Sequence, residues 1–153
     1  MRLRFRINLR YLVLAVTALF SFGAIVLKQS DQYLQVSAAV QTIEFVNAAS
    51  QEKGPVAPGS IVSTFGNNLA TRTEKSDANP PSTELAGVKV KVTDSEKVTH
   101  DAPLLYVSPK QINILVPKEA KLGAAQVVIK NGDAVVAKGD LKIVASAPAL
   151  FTK

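Results

Sequence analysis

From residue 40 onwards apolar and polar side chains alternate in short runs, broken every eight to fifteen residues by glycine, proline or asparagine. A period of two is the signature of a strand with one dry and one wet face. "VQTIEFV" at 40–46 alternates, "GSIVSTFG" at 59–66 is β-branched and aromatic between glycines, and "GVKVKVT" at 87–93 sets Val88, Val90 and Val92 against Lys89 and Lys91. "AAQVVIKNGDAVVA" at 124–137 reads as a hairpin whose two central turn residues are Asn131 and Gly132, a type I′ pair that brings Lys130 opposite Asp133. "GDLKIVASA" at 139–147 continues or follows its second strand. No pattern of period 3.6 and helical length appears in this part of the chain, and there is no internal repeat or low-complexity tract. Seven or so short strands at this spacing predict an all-β fold, a two-sheet antiparallel sandwich of immunoglobulin-like type over residues 40–153.

The stretch "PLLYVSPKQINILVP" at 103–117 predicts two strands. The first runs through Leu104, Leu105, Tyr106 and Val107. In the second, Ile112, Ile114 and Val116 share one face, while Gln111 and Asn113 fall on the other. Pro109 occupies the second position of a type I turn, whose twist suits a tight hairpin poorly, so a corner between sheets is expected there. Two other segments read as loops. Residues 70–84, "ATRTEKSDANPPSTE", have no strand character and are long for a connection in a compact domain; residues 96–101 are expected to form a loose turn.

The front of the chain follows a different pattern. Arg2, Arg4, Arg6 and Arg10 precede seventeen uncharged residues, 11–27, which end at Lys28. A helix of that length spans about 26 Å, a little short of a hydrocarbon core of roughly 30 Å. The arginines on one side imply a membrane or export segment with the rest of the chain outside the cytoplasm. Small residues suited to cleavage occur only as Ser21 with Gly23, close inside the run, or Val36 with Ala38, far beyond it. An uncleaved anchor over residues 1–28, followed by a linker over 29–39, is therefore the preferred expectation, with a secreted product as the alternative.

Charge then changes the picture less than its total suggests. Of the eighteen basic residues behind the formal +6, five flank the apolar segment; the remainder of the chain has thirteen basic and twelve acidic residues, interspersed. Such a balance argues against nucleic-acid binding. The chain has no cysteine, which excludes disulfides and thiolate metal sites. His100, the only histidine, lies beside Asp101 in a polar segment without a recognisable nucleophile. Asp94, Glu96 and Asp101 lack the spacing of a calcium loop. The sequence thus points to no catalytic constellation, metal or cofactor. A glycan-binding face would need an aromatic row, and the only tyrosines are Tyr11, Tyr33 and Tyr106, with no tryptophan.

In order along the chain, "VNAAS", "GPVAPGSIVSTFGNNLA", "LAGVKVKV", "APLLYVSPKQINILVP", "LGAAQVVIKNG" and "APALFT" resemble the C-terminal domain of many exported acidobacterial proteins, a family without an established activity. More distantly, "PGSIVSTFGNNLA" and "SPKQINILVP" with the later "VVIKNG" are similar to the IPT/TIG branch of E-set, immunoglobulin-like domains. The family domain carries a second, related lobe after its "APALFT" segment, so the resemblance implies the first lobe only. The function expected is a non-enzymatic, extracytoplasmic interaction module, with a carbohydrate-binding module as the runner-up. Candidate partner contacts are Tyr106, Gln111 and Asn113, together with Leu150 and Phe151 at the apolar end of the chain, where a protein partner or second lobe would pack.

Overall fold

A computed structural model of the protein describes residues 39–148. The apolar segment 11–27, Leu150 and Phe151 lie outside the described residues. Eleven strands form two sheets, and there is no helix among the described residues. Sheet A contains β1 (Gln41–Thr42), β11 (Ala134–Ile143), β10 (Gly123–Asn131), β6 (Val88–Thr93) and β5 (Glu84–Leu85) in that order, with β7 (Thr99–Asp101) also paired to β6. Sheet B runs β2 (Phe45–Asn47), β3 (Ile61–Phe65), β9 (Gln111–Leu115), β8 (Leu104–Val107), β4 (Glu74–Lys75).

The inner faces of both sheets meet in one core. Val88, Val90 and Val92 of β6 and Val127 and Ile129 of β10 are fully buried from sheet A, as are Val62 of β3 and Ile112 of β9 from sheet B. Strand alternation explains the arrangement: each buried position is followed by one that faces out, so the period of two becomes two half-wet layers around a dry middle. The architecture is a two-sheet β-sandwich.

Four local expectations are corrected. The segment at 40–46 is not one strand: β1 pairs in parallel with β11 in sheet A, and after Ile43 the chain crosses to sheet B, where β2 pairs with β3. The crossing passes over Gly139, where an added Cβ would lie 2.4 Å from the Ile43 carbonyl oxygen and 3.0 Å from Phe45 Cε2. Glycine within a strand here marks close backbone approach.

The β10–β11 turn is displaced by one residue. Asn131 pairs with Ala134 and Lys130 with Val135, so the central residues are Gly132 and Asp133, and Lys130 does not face Asp133. Gly132 alone takes a positive φ, +59°, as a type II′ turn demands at its first central position.

The chain turns no corner between sheets at Pro109. β8 and β9 pair within sheet B. A bulge between Leu104 and Tyr106 adds local twist, and Ser108 braces the connection: its Oγ donates to the Gln111 carbonyl (3.1 Å) and accepts from the Gln111 N–H (2.9 Å).

Nor are the two expected loops bare. Glu74 and Lys75 form β4 on the edge of β8, and Thr99, His100 and Asp101 form β7 against β6.

Candidate functional site

The two sheets present very different outer surfaces. On sheet A the outward positions include Lys89 and Lys91 of β6, Lys130 of β10, and Lys138 and Lys142 of β11. Lys89 is paired with Glu84 and Lys91 with Asp101. Lysines that look interspersed in sequence are gathered on one face because three neighbouring strands alternate in phase.

Sheet B is the opposite. Its central row across the sheet is Val46, Ser63, Asn113 and Tyr106, in register on β2, β3, β9 and β8. On one side of that row Phe65 pairs with Gln111, and on the other Ile61 pairs with Leu115. None of these outward residues is an aspartate, glutamate, lysine, arginine or histidine. The charged groups lie at the edges, Glu44 bridged to Lys53 beside β2, and Lys75 on β4.

The orientation of β3 runs against simple hydrophobic sorting. Ile61 and Phe65 face out, 37% and 49% exposed, while Val62 and Thr64 are fully buried; Ser63, between them on the outer side, is covered by its neighbours at 1% exposure. Thr64 is tolerated inside because its hydroxyl donates to the Glu44 carbonyl at 2.8 Å, which satisfies a group that would otherwise be costly to bury. Pairing with β9, whose Ile112 and Ile114 must face the core, sets this phase.

Gln111, Asn113 and Tyr106 are therefore brought together on sheet B, all partly buried. The Gln111 Nε2 donates to Asn113 Oδ1 at 2.8 Å, which leaves one free amide oxygen and one free amide nitrogen facing outwards. Phe65 and Ile61, which the sequence reading passed over, complete the patch. Their signal was the strand "GSIVSTFG" itself, but sequence alone does not say which of its two faces is buried.

The ionisable groups form a brace rather than a reactive centre. Asp94, at the end of β6, is 2% exposed. Its carboxylate accepts from the backbone N–H groups of Lys121, Glu96 and Val98, each at 3.0 Å, and Oδ2 lies 3.0 Å from His100 Nε2. These donors, the Lys121 N–H foremost, outweigh desolvation and lower the Asp94 pKa to about 2. His100 thus sits in β7 with a carboxylate partner, not in an open turn. Asp101 is turned to Lys91 at 2.8 Å and Glu96 is exposed, so the three carboxylates do not converge. Among the described residues no three histidine, aspartate or glutamate side chains are grouped to hold a metal ion.

The clefts are shallow and lie elsewhere. One of about 400 Å³ is walled by Pro80, Pro81, Pro103 and Pro117, with Asp101 and Lys118 at its rim. The sequence matches no protein-family model and no curated protein. The fold and this surface define a β-sandwich with one outer face that carries charges across its middle strands and one whose charges lie only at its edges.

Proposed function

We propose that the chain is a non-enzymatic module of immunoglobulin-like, IPT/TIG type, tethered to a membrane by residues 11–27 and held outside the cytoplasm, which docks other macromolecules on the outer face of sheet B. One observation carries the reading: on β3 the apolar set Ile61 and Phe65 faces solvent while a threonine is buried, in a patch free of charge. Exposed apolar surface of this kind, rimmed by polar groups, characterises docking surfaces. The tether rests on the uncharged run behind four arginines.

The test uses the absence of native cysteine. Asn113→Cys and, on the outer face of sheet A, Val128→Cys are introduced singly into the full chain in a bacterial membrane and labelled with an impermeant maleimide. Both positions are partly buried, which makes them fair comparators. Both should label from the extracytoplasmic side. Asn113→Cys should label several-fold more slowly than Val128→Cys in the native membrane, and at a similar rate once the chain is diluted in detergent. Equal rates in both settings would refute docking, and labelling only from the cytoplasmic side would refute the topology.

A second reading has an observation of its own. Phe65 and Tyr106 flank the Gln111 and Asn113 amides on one face, and aromatic rings beside amides can hold a sugar. Glycan-array binding that is lost in Phe65→Ala supports it; no binding refutes it.

A further inference from the structure

Resting on that docking surface, we infer that its occupant is the same surface of a second copy of this chain, stacked face to face about a two-fold axis. Three features of the molecule select this partner.

The first is charge. A face that meets itself places every charge near its own kind, and like charges in contact are costly. The centre of sheet B's outer face avoids this: Val46, Ile61, Ser63, Phe65, Gln111, Asn113, Leu115 and Tyr106 contribute none, and its charged groups, Lys75 and the Glu44–Lys53 pair, lie at the two edges. On sheet A charges run across the middle strands, Lys91 of β6, Lys130 of β10 and Lys138, Asp140 and Lys142 of β11, so that face cannot stack on itself without bringing them together.

The second is hydrogen-bonding capacity. In an isologous contact, whatever one copy offers, the other must accept. The bond from Gln111 Nε2 to Asn113 Oδ1 uses one donor and one acceptor of the pair. What remains, the Gln111 oxygen and the Asn113 nitrogen, is one acceptor and one donor, so two such pairs satisfy each other across a two-fold axis. A glycan would use the amides but not the aliphatic Ile61, Leu115 and Val46.

The third is geometry. β9 is the middle strand of the five in sheet B, and Asn113 is the middle residue of β9. A stack centred on the sheet places Asn113 nearest the axis and therefore nearest its own counterpart. The edges are less suited to pairing, since β2 has three residues and β4 two, and short edge strands resist edge-to-edge addition.

Size predicts the strength. Five strands about 4.8 Å apart and five residues at about 3.4 Å each give a face of roughly 20 by 17 Å, or about 700 Å² buried by two copies. Stable free dimers bury about 1,200 Å² or more. The contact is therefore weak in dilute solution and forms where tethering to a common membrane raises the effective concentration.

The test leaves the contact itself unaltered and reads fluorescence transfer between copies. Full chains carrying Gly54→Cys, an exposed position where nothing lies within 4 Å of an added Cβ, are labelled with donor or acceptor dye and mixed in one membrane, where transfer should exceed the random-mixing level several-fold. Adding Phe65→Lys or Ile61→Lys, both at exposed positions, should reduce transfer to that level without lowering the melting temperature. Transfer at the random level, or no effect of either lysine, overturns the inference. If Asn113→Cys is protected from the impermeant maleimide yet the labelled copies show no transfer, the second copy is refuted while the docking surface stands. If Asn113→Cys is freely labelled and there is no transfer, both fall.

Discussion

Gly139→Ala is the most direct test of how the two sheets are joined. The added methyl would sit 2.4 Å from the Ile43 carbonyl oxygen, 3.0 Å from Phe45 Cε2 and 3.2 Å from Ile43 Cγ1. The nearest of these is backbone and cannot rotate away, so the chain between β1 and β2 must shift by about 1 Å to reach ordinary van der Waals distance. That shift strains the 2.8 Å bond from the Ile43 N–H to the Lys138 carbonyl and loosens Ile43 and Phe45, which are only 4% and 6% exposed. Overpacking costs about 1–3 kcal/mol and a lost backbone hydrogen bond about 1 kcal/mol, so a total of about 3 kcal/mol is expected. For a domain of this size that lowers the melting temperature by roughly 10 °C. The assay is thermal unfolding of the full chain in detergent, followed by the β signal in circular dichroism. Gly54→Ala is the control, since nothing lies within 4 Å of its added Cβ. A Gly139→Ala chain that melts with the control would show that the crossing at Ile43 is misplaced.

Two further outcomes follow from buried hydrogen bonds. Asp94→Asn replaces an oxygen that accepts from Lys121 and His100 with a group that donates, so it should lower the melting temperature at neutral pH. The Asp94 pKa is lowered from 3.8 to about 2, so its contribution is fully present above about pH 4 and is lost as pH falls towards 2. The gap between wild type and Asp94→Asn should close across that window; a gap of constant size from pH 5 to pH 2 would refute the brace. Ser108→Ala removes the hydroxyl that bonds both N–H and C=O of Gln111 and should cost about 1–2 kcal/mol in urea unfolding. If stability is unchanged, the serine does not hold the β8–β9 turn.

How much of this was legible in the sequence depends on whether a feature leaves a trace in the order of apolar and polar residues. Val88, Val90 and Val92 do: their phase against Lys89 and Lys91 is the phase seen in β6. The change of sheet between Thr42 and Phe45 does not, because Ile43 and Phe45 are both buried and the alternation continues unbroken through the crossing. The two residues of β4 are too few to show any period. Asp94 was weighed only with Glu96 and Asp101 against the spacing of a calcium loop, although an aspartate followed by N–H groups two and four residues on is a local turn pattern that could have suggested an inward carboxylate.

The surface patch was half legible for a related reason. Gln111 and Asn113 are polar residues between isoleucines, so their outward placement follows from β9 alone. Phe65 and Ile61 belong to a strand whose two faces are both substantially apolar, and only pairing with β9 decides between them. Long-range pairing of that kind is invisible to a local reading. Leu150 and Phe151 lie outside the described residues.

The parallel pairing of β1 with β11 bears on how the domain responds to tension. Pull applied through residue 39 and residue 148 draws the two strands in opposite directions along their length. The pairing of Gln41 with Ala137 and of Thr42 with Lys138 and the bond from the Ile43 N–H to the Lys138 carbonyl span that seam. They are loaded in shear and must rupture together, whereas an antiparallel hairpin would peel open one rung at a time. A tether attached at the leading end would thus transmit force into the strongest direction of the seam.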